Sequence, residues 1–201
     1  MLDRLAIGLI RPAVQAAGQR LAALGIQPLT VTLTGFATGM VAAVLIAQGQ
    51  FQAGLVLLLL SRLMDALDGA VARATRPTDA GGFLDITLDF VFYASIPLAF
   101  AVADPPRNAL AAATLLFGFM GTSASFLAFA ALAAKRGLQD LNFPDKSLYF
   151  LGGLTEATET LLCFAAMCLW PQHFAPLAYG FAALCGLTTL SRIRWGWKAF
   201  Q

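Results

Sequence analysis

The chain has 201 residues, of which 59% are hydrophobic and only 12% are charged, and its formal net charge at pH 7 is +2. Its mean hydropathy is +0.74. This composition leaves too little polar surface to cover a soluble globule, and the small net charge gives no argument for nucleic-acid binding, so the sequence predicts an integral membrane protein.

The first 25 residues predict an amphipathic helix that lies on the membrane surface. Leucines occupy one side of a helical wheel and polar residues occupy the other: Leu2, Leu5, Leu9 and Leu24 against Arg4, Arg11 and Gln15. This pattern is typical of a helix in the membrane interface. The segment lacks the pattern of a cleaved secretory signal, so we expect it to be retained.

Six apolar segments follow in residues 27–194. Three carry no charge, at 29–47, 108–134 and 174–191, and three contain charged residues, at 51–73, 79–103 and 147–171. A helix rises 1.5 Å per residue and a hydrocarbon core is about 30 Å thick, so each segment is long enough to cross it. Pro28 suits the first turn of the first spanning helix. We therefore predict a single all-α domain over residues 1–201, with six transmembrane helices preceded by the amphipathic interfacial helix.

Basic residues predict the orientation of these spans. Six spans place both termini on one side, and most Lys and Arg residues fall on that side: Arg4, Arg11, Arg20, Arg73, Arg76, Lys135, Arg136, Lys146, Arg192, Arg194 and Lys198, against Arg107 on the other. Basic loops stay in the cytoplasm. We expect a bacterial inner (plasma) membrane protein with both termini on the cytoplasmic side.

Four aspartates lie on the second and third predicted spans, where isolated charge is costly. Each pair shares one face of its helix with a small residue: Asp65 and Asp68 with Ala72, and Asp85 and Asp89 with Gly81. Pro77 interrupts the helix between the two pairs, so the chain turns there. The two acidic stripes are therefore predicted to face each other near the cytoplasmic surface.

Hard divalent cations would compensate these acids better than nearby arginines. Arg62, Arg73 and Arg76 are the only neighbouring bases in the sequence, and three bases do not neutralise four ordered carboxylates easily. Oxygen ligands without His or Cys favour Mg²⁺, Mn²⁺ or Ca²⁺. Four acids are enough for two cations, which can hold a diphosphate and stabilise the entering and leaving oxygens of a phosphoryl transfer.

The motif D-x-x-D-G-x-x-A-R, followed by G-x-x-x-D-x-x-x-D, occupies residues 65–89. It resembles the signature of the CDP-alcohol phosphotransferases, also called CDP-alcohol phosphatidyltransferases. Eight specified positions match: Asp65, Asp68, Gly69, Ala72, Arg73, Gly81, Asp85 and Asp89. The spacer between Arg73 and Gly81 is one residue shorter than usual. Outside the motif, the predicted six-span layout and leader helix also resemble the family.

This resemblance implies a homodimeric enzyme of phospholipid biosynthesis that needs a divalent metal, Mg²⁺ or Mn²⁺. The metal ligands would be Asp65, Asp68, Asp85 and Asp89, and Asp89 would also act as the general base. The CDP group would contact Asp65 and Asp68 with the small and basic residues of the motif, Gly69, Ala72, Arg73 and Gly81. The donor would be a CDP-linked lipid such as CDP-diacylglycerol, and an acceptor hydroxyl would displace CMP.

The acceptor is less clearly defined by the sequence. Glu156 and Glu159 lie in the fifth predicted span, where Glu156 is expected ten residues into its helix from Lys146. Intramembrane acids are candidate functional residues, although they also serve as hydrogen-bonding contacts between helices. They would suit an acceptor rich in hydroxyls or bearing an amine, whereas Lys135 and Lys146 would suit a phosphorylated alcohol. Both classes of acceptor stay open.

Two other functions would use the same acids. A divalent-cation transporter or channel could line its pathway with them, but no matching polar residues continue through the far halves of the two spans. A family member could also bind CDP-lipids without turnover, although all eight motif positions are present. A soluble CDP-alcohol with a lipid acceptor is the reversed form of the enzymatic assignment.

Overall fold

The computed structural model describes residues 2–137 and 154–201. Seven α-helices occur in these residues: α1 (Leu2–Ala23), α2 (Pro28–Ala47), α3 (Phe51–Ala74), α4 (Asp79–Ala103), α5 (Pro105–Lys135), α6 (Ala157–Leu169) and α7 (Phe174–Phe200), with a 3₁₀ turn at Pro171–His173 before α7. The described residues contain no β-strand. The predicted all-α class is therefore confirmed for this part of the chain.

Four helical segments in the described residues are long and apolar enough to cross a membrane: α2, α4, α5 and the segment Pro171–Phe200 that contains α7. Helix α3 has 24 residues but carries several charged side chains along its second half. Helix α6 has 13 residues and is therefore about 20 Å long, shorter than a hydrocarbon core. The six-span count and the interfacial location of α1 stay predictions.

The fifth predicted span, residues 147–171, is not a continuous helix over the part that the structure describes. Residues 154–156 are not helical, and Glu156 is the N-cap of α6 rather than a residue ten positions inside a helix. Residues 147–153 and Lys146 lie outside the described residues. The prediction assumed that an apolar run begins a helix as soon as the polar loop ends, whereas here Leu154 and Thr155 bond to Thr188 of α7 instead.

Turns with glycine in the left-handed region connect the first three helices. Gly25 has φ of 78° after α1, and Gly49 has φ of 77° after α2. In the second turn, Gln50 N donates to Leu45 O at 2.9 Å, which closes the end of α2. Pro28 is at the start of α2, as predicted, where the missing N–H costs no helical hydrogen bond.

Small residues allow α2 to lie close to α3. Ser61 of α3 is fully buried, and its hydroxyl donates to Gly35 O of α2 at 2.8 Å. A Cβ atom added to Gly35 would lie 3.0 Å from Met64 Cβ. Close backbone contact of this kind is common in membrane proteins, where van der Waals packing drives helix association. This contact fixes the face of α3 that carries the acids.

An aromatic stack lies at the opposite end of α3 and α4 from their connecting turn. The Phe100 ring of α4 stacks on Phe174 at a centroid distance of 4.5 Å and on Phe51 at 5.4 Å. Phe100 and Phe174 are fully buried. The apolar core therefore holds the far ends of α3, α4 and α7 together, and the polar residues of α3 and α4 collect toward the turn.

Candidate functional site

The turn between α3 and α4 brings their acidic stripes together. Helix α3 ends at Ala74, and Thr78 caps α4 by accepting a hydrogen bond from Gly81 N at 3.1 Å. Capping by a threonine side chain stabilises the first turn of a helix. One carboxylate oxygen from each of Asp65, Asp68 and Asp85 lies within 4.8 Å of the others. The predicted convergence of the two stripes is thus present.

The three carboxylates fit a divalent cation. Ligand oxygens lie about 2.0–2.6 Å from Mg²⁺ or Ca²⁺, so oxygens on opposite sides of one ion are about 4–5 Å apart. Asp68 is only 5% exposed, and its Oδ2 atom has no hydrogen-bond partner among the described residues. A buried carboxylate oxygen without a partner is costly. A cation among these three acids would remove that cost.

The fourth acid, Asp89, is engaged differently. Its Oδ1 accepts a hydrogen bond from Arg62 Nη1 at 2.6 Å, and the same Nη1 atom lies 3.4 Å from Asp65 Oδ1. Arg62 also lies over the Phe92 ring, with Cζ 3.8 Å from the ring centroid. Asp65 therefore belongs both to the three-carboxylate cluster and to the ion pair with Arg62. Asp89 belongs to the ion pair.

A cleft connects these residues with α2. It has an empty volume of about 220 Å³ and is lined by residues of three helices: Thr32, Gly35, Phe36, Arg62, Asp65, Asp85, Leu88 and Asp89. Its walls combine carboxylates, one guanidinium group and apolar side chains. Helix α2 therefore contributes to the site, although its sequence, Pro28–Ala47, contains no charged residue.

The small and basic motif residues lie beside the cluster. A Cβ atom on Gly69 would be 3.2 Å from Arg73 Nη1, so the guanidinium group lies directly above this glycine. Arg73 is exposed, and Ala72 and Gly81 are half-buried near the ends of the two helices. An exposed guanidinium group next to a helix backbone that carries no side chain is suited to binding a diphosphate. The roles of these four residues in CDP binding stay a prediction.

The acceptor candidates lie on other elements. Glu156 caps α6, Glu159 is in the first turn of α6, and Lys135 is the exposed last residue of α5. Among the described residues that line the 220 Å³ cleft, none is an acceptor candidate. Lys146 lies outside the described residues. Helix α6 does contact α3, so its N-terminal acids are carried by a neighbour of the acidic helix.

Two arginines in the structure have a place at these acids that the sequence does not predict. The sequence predicts Arg62 only as a structural partner of the acids, and its spacing of three residues before Asp65 is the signal that places it on the same face. Arg192 of α7 donates to Thr122 O at 2.9 Å and interacts electrostatically with Glu156. Arg192 lies on a helix that is distant from Glu156 in the sequence, so no local sequence pattern predicts the interaction between the two residues.

The family model described as CDP-alcohol phosphatidyltransferase matches residues 25–190. A protein from Escherichia coli K12, called inner membrane protein YnjF, is 51% identical over 201 residues, which are 100% of this chain and 98% of that protein. An archaetidylinositol phosphate synthase from Pyrococcus horikoshii is 38% identical over 117 residues, covering 55% of this chain and 62% of that protein. Sequence similarity thus extends well beyond the acidic motif.

Solved structures show the same fold. The phosphatidylinositol phosphate synthase PgsA1 of Mycobacterium tuberculosis with CDP-DAG bound superposes with a TM-score of 0.65 at 21% identity, covering 92% of this chain and 93% of that chain. The same enzyme in complex with manganese and citrate superposes with a TM-score of 0.63 at 20% identity, covering 92% and 88%. That enzyme was thus solved with manganese, and the predicted divalent metal is confirmed for the family.

The converging carboxylates, the complete motif and the match over residues 25–190 lead to one assignment. The alternative of a cation channel is not needed to explain the acids, because the members of the matched family are transferases. This chain belongs to the CDP-alcohol phosphatidyltransferase family.

Proposed function

We propose that this chain transfers a phosphatidyl group from CDP-diacylglycerol, or a closely similar CDP-linked lipid, to the hydroxyl group of a small alcohol and releases CMP. The observation that carries the proposal is the gathering of Asp65, Asp68 and Asp85 within 4.8 Å, with the buried Asp68 Oδ2 atom lacking a partner in the described part of the chain. This arrangement would bind the cation that neutralises the diphosphate of the donor.

Asp65, Asp68 and Asp85 would hold the first divalent cation, and Asp65 and Asp89 would contribute to a second. A bound Mg²⁺ or Mn²⁺ ion neutralises diphosphate oxygens and makes the phosphorus easier to attack. The protein supplies oxygen ligands only, which suits either ion. Asp85 lies six residues after the start of α4 at Asp79, close to the turn that we expect at the cytoplasmic surface.

The motif residues around the turn would hold the CDP group. Arg73 presents a guanidinium group above Gly69, and guanidinium groups bind phosphate oxygens in a bidentate way. Gly69 and Ala72 add little side-chain bulk to the surface of α3, so the nucleotide would be able to approach the helix backbone. Gly81 does the same on the first turn of α4. These residues would orient the diphosphate toward the carboxylates.

Asp89 would act as the general base. As the acceptor oxygen forms a bond to the phosphorus that carries the lipid, the bond from that phosphorus to the bridging oxygen of CMP breaks. The proton of the acceptor hydroxyl passes to the Asp89 carboxylate. Arg62 holds this carboxylate at 2.6 Å and fixes its direction. Asp89 and Arg62 both line the cleft.

The nature of both substrates draws on the relatives. CDP-DAG is the ligand in one PgsA1 structure, which supports a lipid donor. The archaeal relative is named archaetidylinositol phosphate synthase and PgsA1 is named phosphatidylinositol phosphate synthase, so an inositol phosphate is the first acceptor to test. Glu156 and Glu159 would instead favour an unphosphorylated polyol or an amino alcohol. The chain contains residues for either class, and a homodimer in the inner membrane is expected.

A direct assay tests the proposal. Purified protein in detergent is incubated with Mn²⁺ or Mg²⁺, CDP-diacylglycerol and a panel containing inositol phosphate, glycerol phosphate, inositol, glycerol and serine, and CMP is measured. We expect CMP and a new lipid with one acceptor, and no product after chelation of the metal. Asp104→Asn is a matched control because Asp104 lies between α4 and α5, and Asn caps a helix equally well.

Failure of CMP release with every acceptor, from folded protein, would overturn the lipid-donor assignment. The reversed pair, a CDP-alcohol with diacylglycerol, is then the next assay. If neither pair reacts while CDP-diacylglycerol still binds, the chain is a non-catalytic member of the family. Binding can be followed by the shift in melting temperature that a ligand of the folded state produces.

A further inference from the structure

Arg62 lies among the acids as an internal cation. Its side chain is only 10% exposed, and its Nη1 atom lies 2.6 Å from Asp89 Oδ1 and 3.4 Å from Asp65 Oδ1. The motif that identifies the family does not include this position. The residue therefore needs an explanation of its own, because a buried arginine is costly unless its contacts compensate for lost hydration.

Several contacts hold the guanidinium group in place. It lies 3.8 Å above the centroid of the fully buried Phe92 ring, and its Nη2 atom donates to the buried Ser61 hydroxyl at 3.4 Å. Ser61 is itself fixed to Gly35 O of α2. A cation over an aromatic face gains electrostatic stabilisation, which is larger away from water. Arg62 is thus ordered by α2, α3 and α4 together.

The charged side chains of the site form two groups, and Asp65 belongs to both. Asp65, Asp68 and Asp85 gather their oxygens within 4.8 Å, whereas Asp89 is compensated by Arg62. The side chains of Asp65 and Asp89 are 33% and 32% exposed, so solvent ions can reach both. A divalent cation that bridges these two acids would lie close to the Arg62 guanidinium group, and the two positive charges would repel each other.

We propose that Arg62 holds Asp89 in place of a second divalent cation in the substrate-free protein, and that the second cation binds tightly only together with the CDP-linked donor. The proposal rests on the metal-dependent function above. One cation would be bound by Asp65, Asp68 and Asp85, of which only Asp65 forms an ion pair with Arg62 among the described residues. The second is opposed by the Arg62 charge until the diphosphate of the donor adds negative charge to the site.

Counting bound Mn²⁺ tests this assignment without any turnover. Free Mn²⁺ is measured by electron paramagnetic resonance as the metal-free full-length protein is titrated, alone and with CDP as the soluble nucleotide probe. We expect one tight ion, a second that binds at least about tenfold more weakly, and about tenfold tightening of the second by CDP. Two ions that bind within threefold of each other without nucleotide overturn the proposal.

Variants separate the charge of Arg62 from its packing. In Arg62→Gln the second Mn²⁺ is expected to tighten by about tenfold or more without CDP, because the repelling charge is gone. Arg62→Lys keeps the charge and should retain the weak second site. Equal tightening in both variants, or none in Arg62→Gln, contradicts the proposal. The wild-type titration remains decisive if Arg62→Gln does not fold.

The outcomes also differ from those of the proposed function. If no CDP-linked donor yields CMP but the Mn²⁺ titrations follow the expected pattern, the transfer reaction is wrong and the role of Arg62 stands. If CMP is released but both Mn²⁺ ions bind equally without nucleotide, the reaction stands and Arg62 is only a structural partner of Asp89.

Discussion

Gly39 of α2 and Phe92 of α4 touch so closely that a Cβ atom on Gly39 would lie 2.6 Å from Phe92 Cδ2. Phe92 is fully buried, and the Arg62 guanidinium group lies over its ring, 3.8 Å from the centroid. The absence of a side chain on α2 therefore sets the position of the ring on which the ion pair of the site depends.

Gly39→Ala should lower the stability of the protein by about 1–3 kcal/mol, because the added methyl group has no space beside Phe92 and Ser61. The measurement is the melting temperature in detergent. Gly180→Ala is the matched control, since a Cβ atom at this helical position of α7 meets nothing within 4 Å. Equal melting temperatures for Gly39→Ala and the wild type would show that the ring moves aside without cost.

Asp68→Asn should weaken binding of the tight Mn²⁺ ion, and lower metal-dependent CMP release, by about 100-fold or more. The substitution removes a charge from the most buried of the three clustered carboxylates while preserving its size. Mn²⁺ titration and CMP release at saturating donor are the two readouts. Asp104→Asn, outside the cluster, should leave both unchanged. Normal metal binding in Asp68→Asn would exclude this residue as a ligand.

Asp89→Asn should slow turnover by about 100- to 10,000-fold, the usual range for loss of a general base, while leaving binding of the CDP-linked donor largely intact. The amide can still accept a hydrogen bond from Arg62 but does not take up a proton. The comparison is between kcat and the donor-induced shift in melting temperature. A variant with normal kcat would remove the base assignment.

Glu156→Gln should raise the KM for the acceptor alcohol by about tenfold with little change in the KM for the donor, since a charge-assisted hydrogen bond contributes about 1.5–3 kcal/mol. Glu156 is the N-cap residue of α6 and interacts with Arg192, so the stability of the variant must be measured together with its KM. Arg192→Lys keeps the charge opposite Glu156 and is the matched control for the pairing. An unchanged acceptor KM in a stable Glu156→Gln variant indicates a purely structural pair.

Helical periodicity was sufficient to predict the acidic cluster. Asp65 and Asp68 are three residues apart, Asp85 and Asp89 are four apart, and Pro77 forces the turn between their helices. The start of α2 at Pro28 followed from local chemistry in the same way. These features depend on neighbours within about one helical turn, which is why the sequence alone predicts them.

The start of α6 was predicted wrongly because it depends on a distant helix. Leu154 N and the Thr155 hydroxyl both bond to Thr188, more than thirty residues away, and residues 154–156 are not helical, so α6 begins at Ala157. Hydropathy does not report such bonds. It described Glu156 as a residue in mid-helix, whereas its place is the N-cap.

The amino-acid sequence by itself determined the helical membrane class, the acidic motif and the family that the motif indicates, because these depend on composition and on spacing along one chain. Only the tertiary structure decided that Asp89 pairs with Arg62 while the other three acids gather together. That division depends on the rotation and distance between α2, α3 and α4. Contacts between small residues such as Gly35 and Gly39 fix both quantities, and no periodic pattern encodes them.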